Sequence, residues 1–205
     1  MELKLDSTAR QWAANHLRAL QILIAFLPLL FLFVCLAKFW VDVPYWDEWD
    51  AYGRRIFVRF FHEKLSAADF FAQHNDSRKI FPRLSAWVLL WATGKWDARL
   101  EICLLIGVAC VSSVGLNQLL MRTAEFSRRR RIVLLLLMSC FVFSLAQWRN
   151  WMWGLQICMY LPPAALVVGL VVNTSRIHFR WKVILAASLA FVSTYSYANG
   201  MLVWV

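Results

Sequence analysis

Across 205 residues, 61% of the side chains are hydrophobic and the mean hydropathy is +0.55. A soluble domain carries about 45–50% apolar residues. The excess here comes in long runs, which points to an all-α polytopic membrane protein rather than a soluble fold. A net charge of +10 in a soluble chain would suggest nucleic acid. Here the basic residues cluster between apolar runs, a pattern that fits membrane topology and argues against nucleic-acid binding. The five cysteines, at 35, 103, 110, 140 and 158, all lie inside apolar runs with no CxxC or metal spacing, and read as small buried hydrophobes.

In chain order, residues 1–18 form a short polar tail. Residues 19–41 are apolar except for Gln21 and Lys38, long enough to cross a bilayer core of about 30 Å, and too long and aromatic for a cleaved signal. They are the first expected span, with Lys38 snorkelling beside Trp40. The polar stretch 41–83 follows. Pro44 breaks any helix running on from the span. Tyr52, Ile56, Phe57, Phe60, Phe61 and Leu65 then recur at helical spacing, which predicts an amphipathic helix lying along a membrane surface. Ser66 and Asp69 make a capping box that opens a second short helix. The polar turn HNDSRK comes next, and Pro82 suits the start of a third helix.

Residues 82–93 are apolar, but at about twelve residues they give only ~18 Å of helix, short of the seventeen or so that a crossing needs. Charge decides their place. If they lie on the surface, the inner segments 1–18, 122–131 and 174–182 hold eleven Lys and Arg against three acids, whereas the outer segment 42–99 holds nine against eight. The expected layout is therefore five transmembrane helices with two or three juxtamembrane amphipathic helices in the first outer loop. The spans are 19–41, 100–121, 132–147, 152–173 and 183–205. They are joined by the outer loop 42–99, a basic inner loop 122–131, an outer turn 148–151 and a second basic inner loop 174–182. The last span still runs at residue 205, as if truncated. Nine of the twelve tryptophans, at 40, 46, 49, 87, 91, 96, 148, 151 and 153, fall at or beyond the outer interface.

Chemistry-bearing groups concentrate in that outer loop. Asp47, Glu48 and Asp50 stand just outside the first span in PYWDEWD. Ionised groups this close repel unless a cation or donor offsets them. They are candidates for a general base in a low-dielectric setting or for oxygen ligands of a divalent cation; balanced by Arg54 and Arg55, they also read as a solvated acidic turn. His74, Asn75, Asp76, Arg78 and Lys79 form a second group, in which Arg and Lys suit a lipid phosphate and His and Asp suit proton transfer. The same residues also read as a plain polar loop between surface helices. Arg149 and Asn150, flanked by Trp, face the same outer side and read equally as a polar turn.

This arrangement resembles the N-terminal module of the GT-C superfamily of polytopic glycosyltransferases, which includes protein O-mannosyltransferases and lipid A aminoarabinose transferases. Asp47 matches the acid at the start of that family's first outer loop, and the helices at 51–64, 66–73 and 82–93 match its juxtamembrane set. HNDSRKIFPRL, AQWRNWMWGLQI and STYSYANGMLVW resemble segments of bacterial membrane proteins described as GT-C-like; the middle segment there often carries an acid where this chain has Arg149. The resemblance implies a glycosyltransferase of the bacterial inner membrane with a cytoplasmic N-terminus. It would take a polyprenyl-phosphate-linked sugar and an acceptor at the outer, periplasmic face. Asp47 would be base or metal ligand, supported by Glu48 or Asp50, with Arg78 and Lys79 on the donor phosphate. The chain covers about half of such an enzyme, so a missing C-terminal half or partner subunit is implied. A small non-catalytic membrane subunit that binds a lipid phosphate is the rival expectation.

Overall fold

The computed structural model of the chain describes residues 26–62, 65–123 and 125–204, together with positions 16 and 23. The described residues are almost wholly helical; the strands among them are one two-residue pair. Three helices are long and apolar enough to cross a membrane: Ala98–Thr123, Arg128–Trp151 and Gly154–Asn173. Shorter apolar helices run over Phe26–Phe39, here α1, and Ile80–Thr93. The beginning of the expected first span lies outside the described residues.

The chain divides into two compact units, residues 1–38 with 125–145 and residues 39–124 with 146–205. Helix α1 and helix α6 (Arg128–Val142) belong to the first. Four arginines open α6 and an unbroken apolar run follows, so the helix begins at the charge cluster, four residues before the expected span. In α1, Leu32 and Leu36 are buried four residues apart, one face of a helix.

The second unit begins with an irregular segment through Pro44. A π-helix then covers Trp49–Phe57 and runs into α2 (Val58–Phe61). The π-turn changes which residues face inward. Tyr52, Ile56 and Phe57 are buried as the periodicity predicts and Phe60 is half-buried, but Phe61 is 59% exposed, because i→i+5 bonding puts more residues in each turn than a 3.6 period allows. The inward face packs on Ala86 and Leu90 of α4 (Ile80–Thr93) and on Leu155, with Trp87, Trp96 and Trp153 around the edge. Each fully buried Ile or Phe there contributes about 1.5–3 kcal/mol.

Helix α3 (Ala67–Phe71) opens with the expected capping box. The Ser66 N–H and hydroxyl both donate to Asp69 Oδ2, at 2.9 and 3.0 Å, and Arg59 reaches Asp69 Oδ1 at 3.0 Å. Strands β1 (Gln73–His74) and β2 (Ser77–Arg78) form a hairpin that turns at Asn75, with φ 51°. Asn tolerates that left-handed conformation better than most residues. Helix α4 starts at Ile80, two residues before Pro82, and stops at Gly94 with φ 70°, a left-handed C-terminal glycine.

Helices α5 (Ala98–Thr123), α8 (Ile157–Asn173) and α9 (Phe179–Thr194) pack side by side. Small residues make the approach close: a Cβ at Gly115 would stand 2.5 Å from Val167 Cγ1. At the basic end, Arg122 donates to the Val171 carbonyl at 2.8 Å and to Thr174 Oγ1 at 2.9 Å, while Lys182 donates to the Asn173 carbonyl at 2.6 Å. These cations satisfy the last carbonyls of α8 and complement its dipole.

Contrary to the expected unbroken span to residue 205, α9 ends at Thr194 and a 3₁₀ segment covers Ala198–Trp204. Hydroxyls compete for the backbone here. Ser193 donates to the Gly200 carbonyl at 2.9 Å, Ser196 to the Val192 carbonyl at 2.6 Å, and the Trp204 indole to Thr194 Oγ1 at 2.8 Å. Any Cβ at Gly200 would collide with the Ser193 carbonyl, so only glycine fits.

Candidate functional site

The hairpin brings together two groups that stand apart in sequence. His74 is buried, with Nδ1 3.3 Å from Asp50 Oδ2 and Nε2 3.7 Å from Asp47 Oδ2. Asn75 Nδ2 also reaches Asp47 Oδ2, at 3.5 Å. The Asp47 and Asp50 side chains are 36% and 57% exposed, so a buried imidazole backs two carboxylates that open to solvent. Burial, and then the charge of Lys79, hold the His74 pKa below its usual value; Asp47 and Asp50 oppose this less strongly. His74 Nε2 is buried and has no hydrogen-bond partner.

Lys79 directly follows β2, at the start of α4. It is only 5% exposed, donates to Ser77 Oγ at 3.2 Å and lies 5.1 Å over the Tyr197 ring. Among the described residues it has no carboxylate partner. The α9 tail helps build this pocket: Tyr197 supplies the ring, and the Phe81 N–H donates to the Tyr195 carbonyl at 3.4 Å. An apolar groove of about 630 Å³ opens beside the start of α4, lined by Leu65, Phe70, Phe71, Leu84, Trp87 and Phe191 among others.

The other expected site residues sit differently. Glu48 turns inward, 1% exposed, and its carboxylate accepts the Tyr45 N–H at 2.7 Å and the Leu155 N–H at 2.9 Å. Burial raises its pKa and these donors oppose the rise. Asp76 and Arg78 are exposed on the hairpin, without an ion pair among the described residues. Arg149 is exposed on α7 (Trp148–Trp151), 5.5 Å over its neighbour Trp148. Among the described residues no three His, Cys, Asp or Glu side chains are grouped as a metal ion requires.

Trp46 precedes the cluster with φ 46°, a strained conformation for a bulky residue that costs on the order of 1–3 kcal/mol. Its ring stacks on Trp153 at 5.9 Å, and Tyr45 meets Trp153 edge-on at 5.8 Å. With the Glu48 hydrogen bonds, this aromatic clamp holds the strained turn that presents Asp47.

Three supports escaped sequence reasoning. Arg83, fully buried, donates to the Ala51 carbonyl at 3.1 Å, to the Phe70 carbonyl at 3.2 Å and to the Ala72 carbonyl, so it bolts the π-helix to the end of α3. Burial, and then Arg55, lower its pKa. Asp42 accepts the Ala98 N–H at 2.9 Å and caps α5 from the first loop. Glu101 is buried beside Glu48. Its signal was present in the sequence: a lone acid in the first turn of an apolar span has a task by default.

The helical fold and its three helices long and apolar enough to cross a membrane point to a membrane protein. Comparison with family models, curated proteins and solved structures finds no match.

Proposed function

We propose that the chain is the catalytic module of a GT-C-like glycosyltransferase that uses a polyprenyl-phosphate-linked sugar at the outer face of the bacterial inner membrane. In this reading five helices span the membrane, α1 and α9 completing the set, and the elements from the π-helix to α4 lie along the outer surface. The observation that carries it is the placement of His74 between Asp47 and Asp50, within electrostatic reach of the buried Lys79. The acceptor hydroxyl sits at Asp47 Oδ2, which takes its proton as the hydroxyl oxygen bonds to the anomeric carbon of the sugar. The bond from that carbon to the donor phosphate breaks, and the phosphate leaves with the electron pair. Lys79 and Arg78 offset its growing charge. His74 directs its Nδ1–H to Asp50, and its unpaired Nε2 backs Asp47 Oδ2 from the buried side. The polyprenyl chain lies in the apolar groove beside α4.

The test is the Asp47→Asn variant of the full protein in its own membrane. Transfer should be lost while insertion stays normal; full activity would overturn the assignment. A lipid-phosphate-binding subunit is the second reading, favoured by the buried Lys79. Wild-type protein that binds the donor phosphate and transfers nothing would select it.

A further inference from the structure

Two buried carboxyl groups meet in the second unit, away from the solvent-facing acids. If Gly154 carried a Cβ, Glu101 Oε2 would lie 2.5 Å from it and Glu48 Oε1 3.1 Å from it. The two oxygens thus converge on one spot, and both residues are nearly solvent-free, at 1% for Glu48 and 5% for Glu101. Among the described residues no ion pair reaches either of them. Arg83, the buried guanidinium of α4, gives its hydrogen bonds to main-chain carbonyls. Two like charges at this separation in an apolar pocket would be strongly unfavourable.

The hydrogen-bond partners assign different states to the two groups. An ionised carboxylate has about four acceptor positions. Glu48 accepts the backbone N–H groups of Tyr45 and Leu155, which favour its anion. Glu101 has no well-formed hydrogen bond at either oxygen; the Trp96 indole N–H faces it without closing to one. A carboxyl without donors needs its own proton, and an open position on Glu48 is an acceptor for it. We propose that Glu101 and Glu48 share one proton, Glu101 donating to Glu48, and that this pair latches the first outer loop onto the turn at Gly154 and Leu155. The latch fixes the backbone next to Asp47, so Glu101 is a positioning residue that touches no substrate. The other titratable groups facing the pair are Tyr52 from the π-helix, whose hydroxyl is also unpartnered, and Asp97 ahead of α5; Cys158 of α8 faces Tyr52.

A proton kept in the folded pair and released by the unfolded chain makes stability fall as pH rises. The fall starts near pH ~4.3, where a free Glu ionises, and continues until the folded pair itself titrates. The experiment measures thermal unfolding of the full chain in nanodiscs across this range for wild type, Glu101→Gln, Glu101→Ala and Tyr52→Phe. Glutamine donates to Glu48 and cannot ionise, so E101Q should match wild type at acid pH and gain on it in Tm as pH rises. E101A should be less stable than E101Q at every pH, and Y52F should keep the wild-type slope. A Tm difference between wild type and E101Q that does not change with pH would overturn the proposal. So would an E101Q protein as unstable as E101A. If E101Q fails to fold, the infrared spectrum of wild type at neutral pH decides: a carbonyl band from a protonated, buried carboxyl is expected, and its absence is fatal. None of these readouts involves donor or transfer, so the latch and the glycosyltransferase reading fail separately.

Discussion

Burial and a neighbouring cation act on His74 in the same direction: both disfavour the imidazolium, and both are relieved when the chain unfolds. The unfolded state therefore binds the proton more readily. The stability that His74 contributes is complete above about pH 6.5 and is lost as the pH falls through the lower folded value. Thermal unfolding of wild type against His74→Gln should show the wild type losing ground on the acid side of neutrality. A pH-independent difference would mean that the imidazole is not held neutral by the fold. The sign is opposite to that of the Glu48–Glu101 pair, so the two titrations are separable in one pH series. His74 and Asp47 were each legible as chemistry in the sequence, but their meeting was not. It depends on a two-residue hairpin turn at Asn75 that folds the polar loop back onto Asp47.

At the scale of elements, local signals served well and distant ones were silent. The Ser66–Asp69 capping box and the left-handed Gly94 stop follow from chemistry within four residues. The inward set Tyr52, Ile56 and Phe57 follows from periodicity, and the misplacement of Phe61 marks where the backbone left the α-period for a π-turn. The end of α9 at Thr194 was also missed, because hydropathy carries no information on hydroxyls competing for main-chain carbonyls. Glu48 bonds Leu155, 107 residues away, and no pattern in PYWDEWD distinguishes it from its acidic neighbours. That junction yields an element-scale prediction. Gly154→Ala would drive a methyl against Glu101, 2.5 Å from Oε2 and 2.6 Å from Cβ. Overpacking of this kind costs about 1–3 kcal/mol. Chemical denaturation of the variant should show a loss of that order; unchanged stability would mean that the two carboxyl groups do not close on this turn.

For the whole molecule, charge sets the expected orientation. The basic loops at 122–131 and 174–182 share a side with the N-terminal tail in the five-span layout, and α4, at 14 residues, is too short to cross. Residues 94–99 then face outward. In a cysteine-free background, Lys95→Cys should react with a membrane-impermeant maleimide added to intact cells with permeabilised outer membranes. Labelling only after lysis would invert the layout and take the cluster of Asp47, His74 and Asp50 to the other face. The account rests most heavily on that cluster handling the acceptor proton. Its most direct test is the rate of sugar transfer from a polyprenyl-phosphate donor in membrane vesicles holding equal amounts of inserted wild-type protein or Asp47→Asn. A positioned base contributes about 10²–10⁴-fold, so the variant should lose transfer by a hundredfold or more; equal rates for the two proteins would contradict the account.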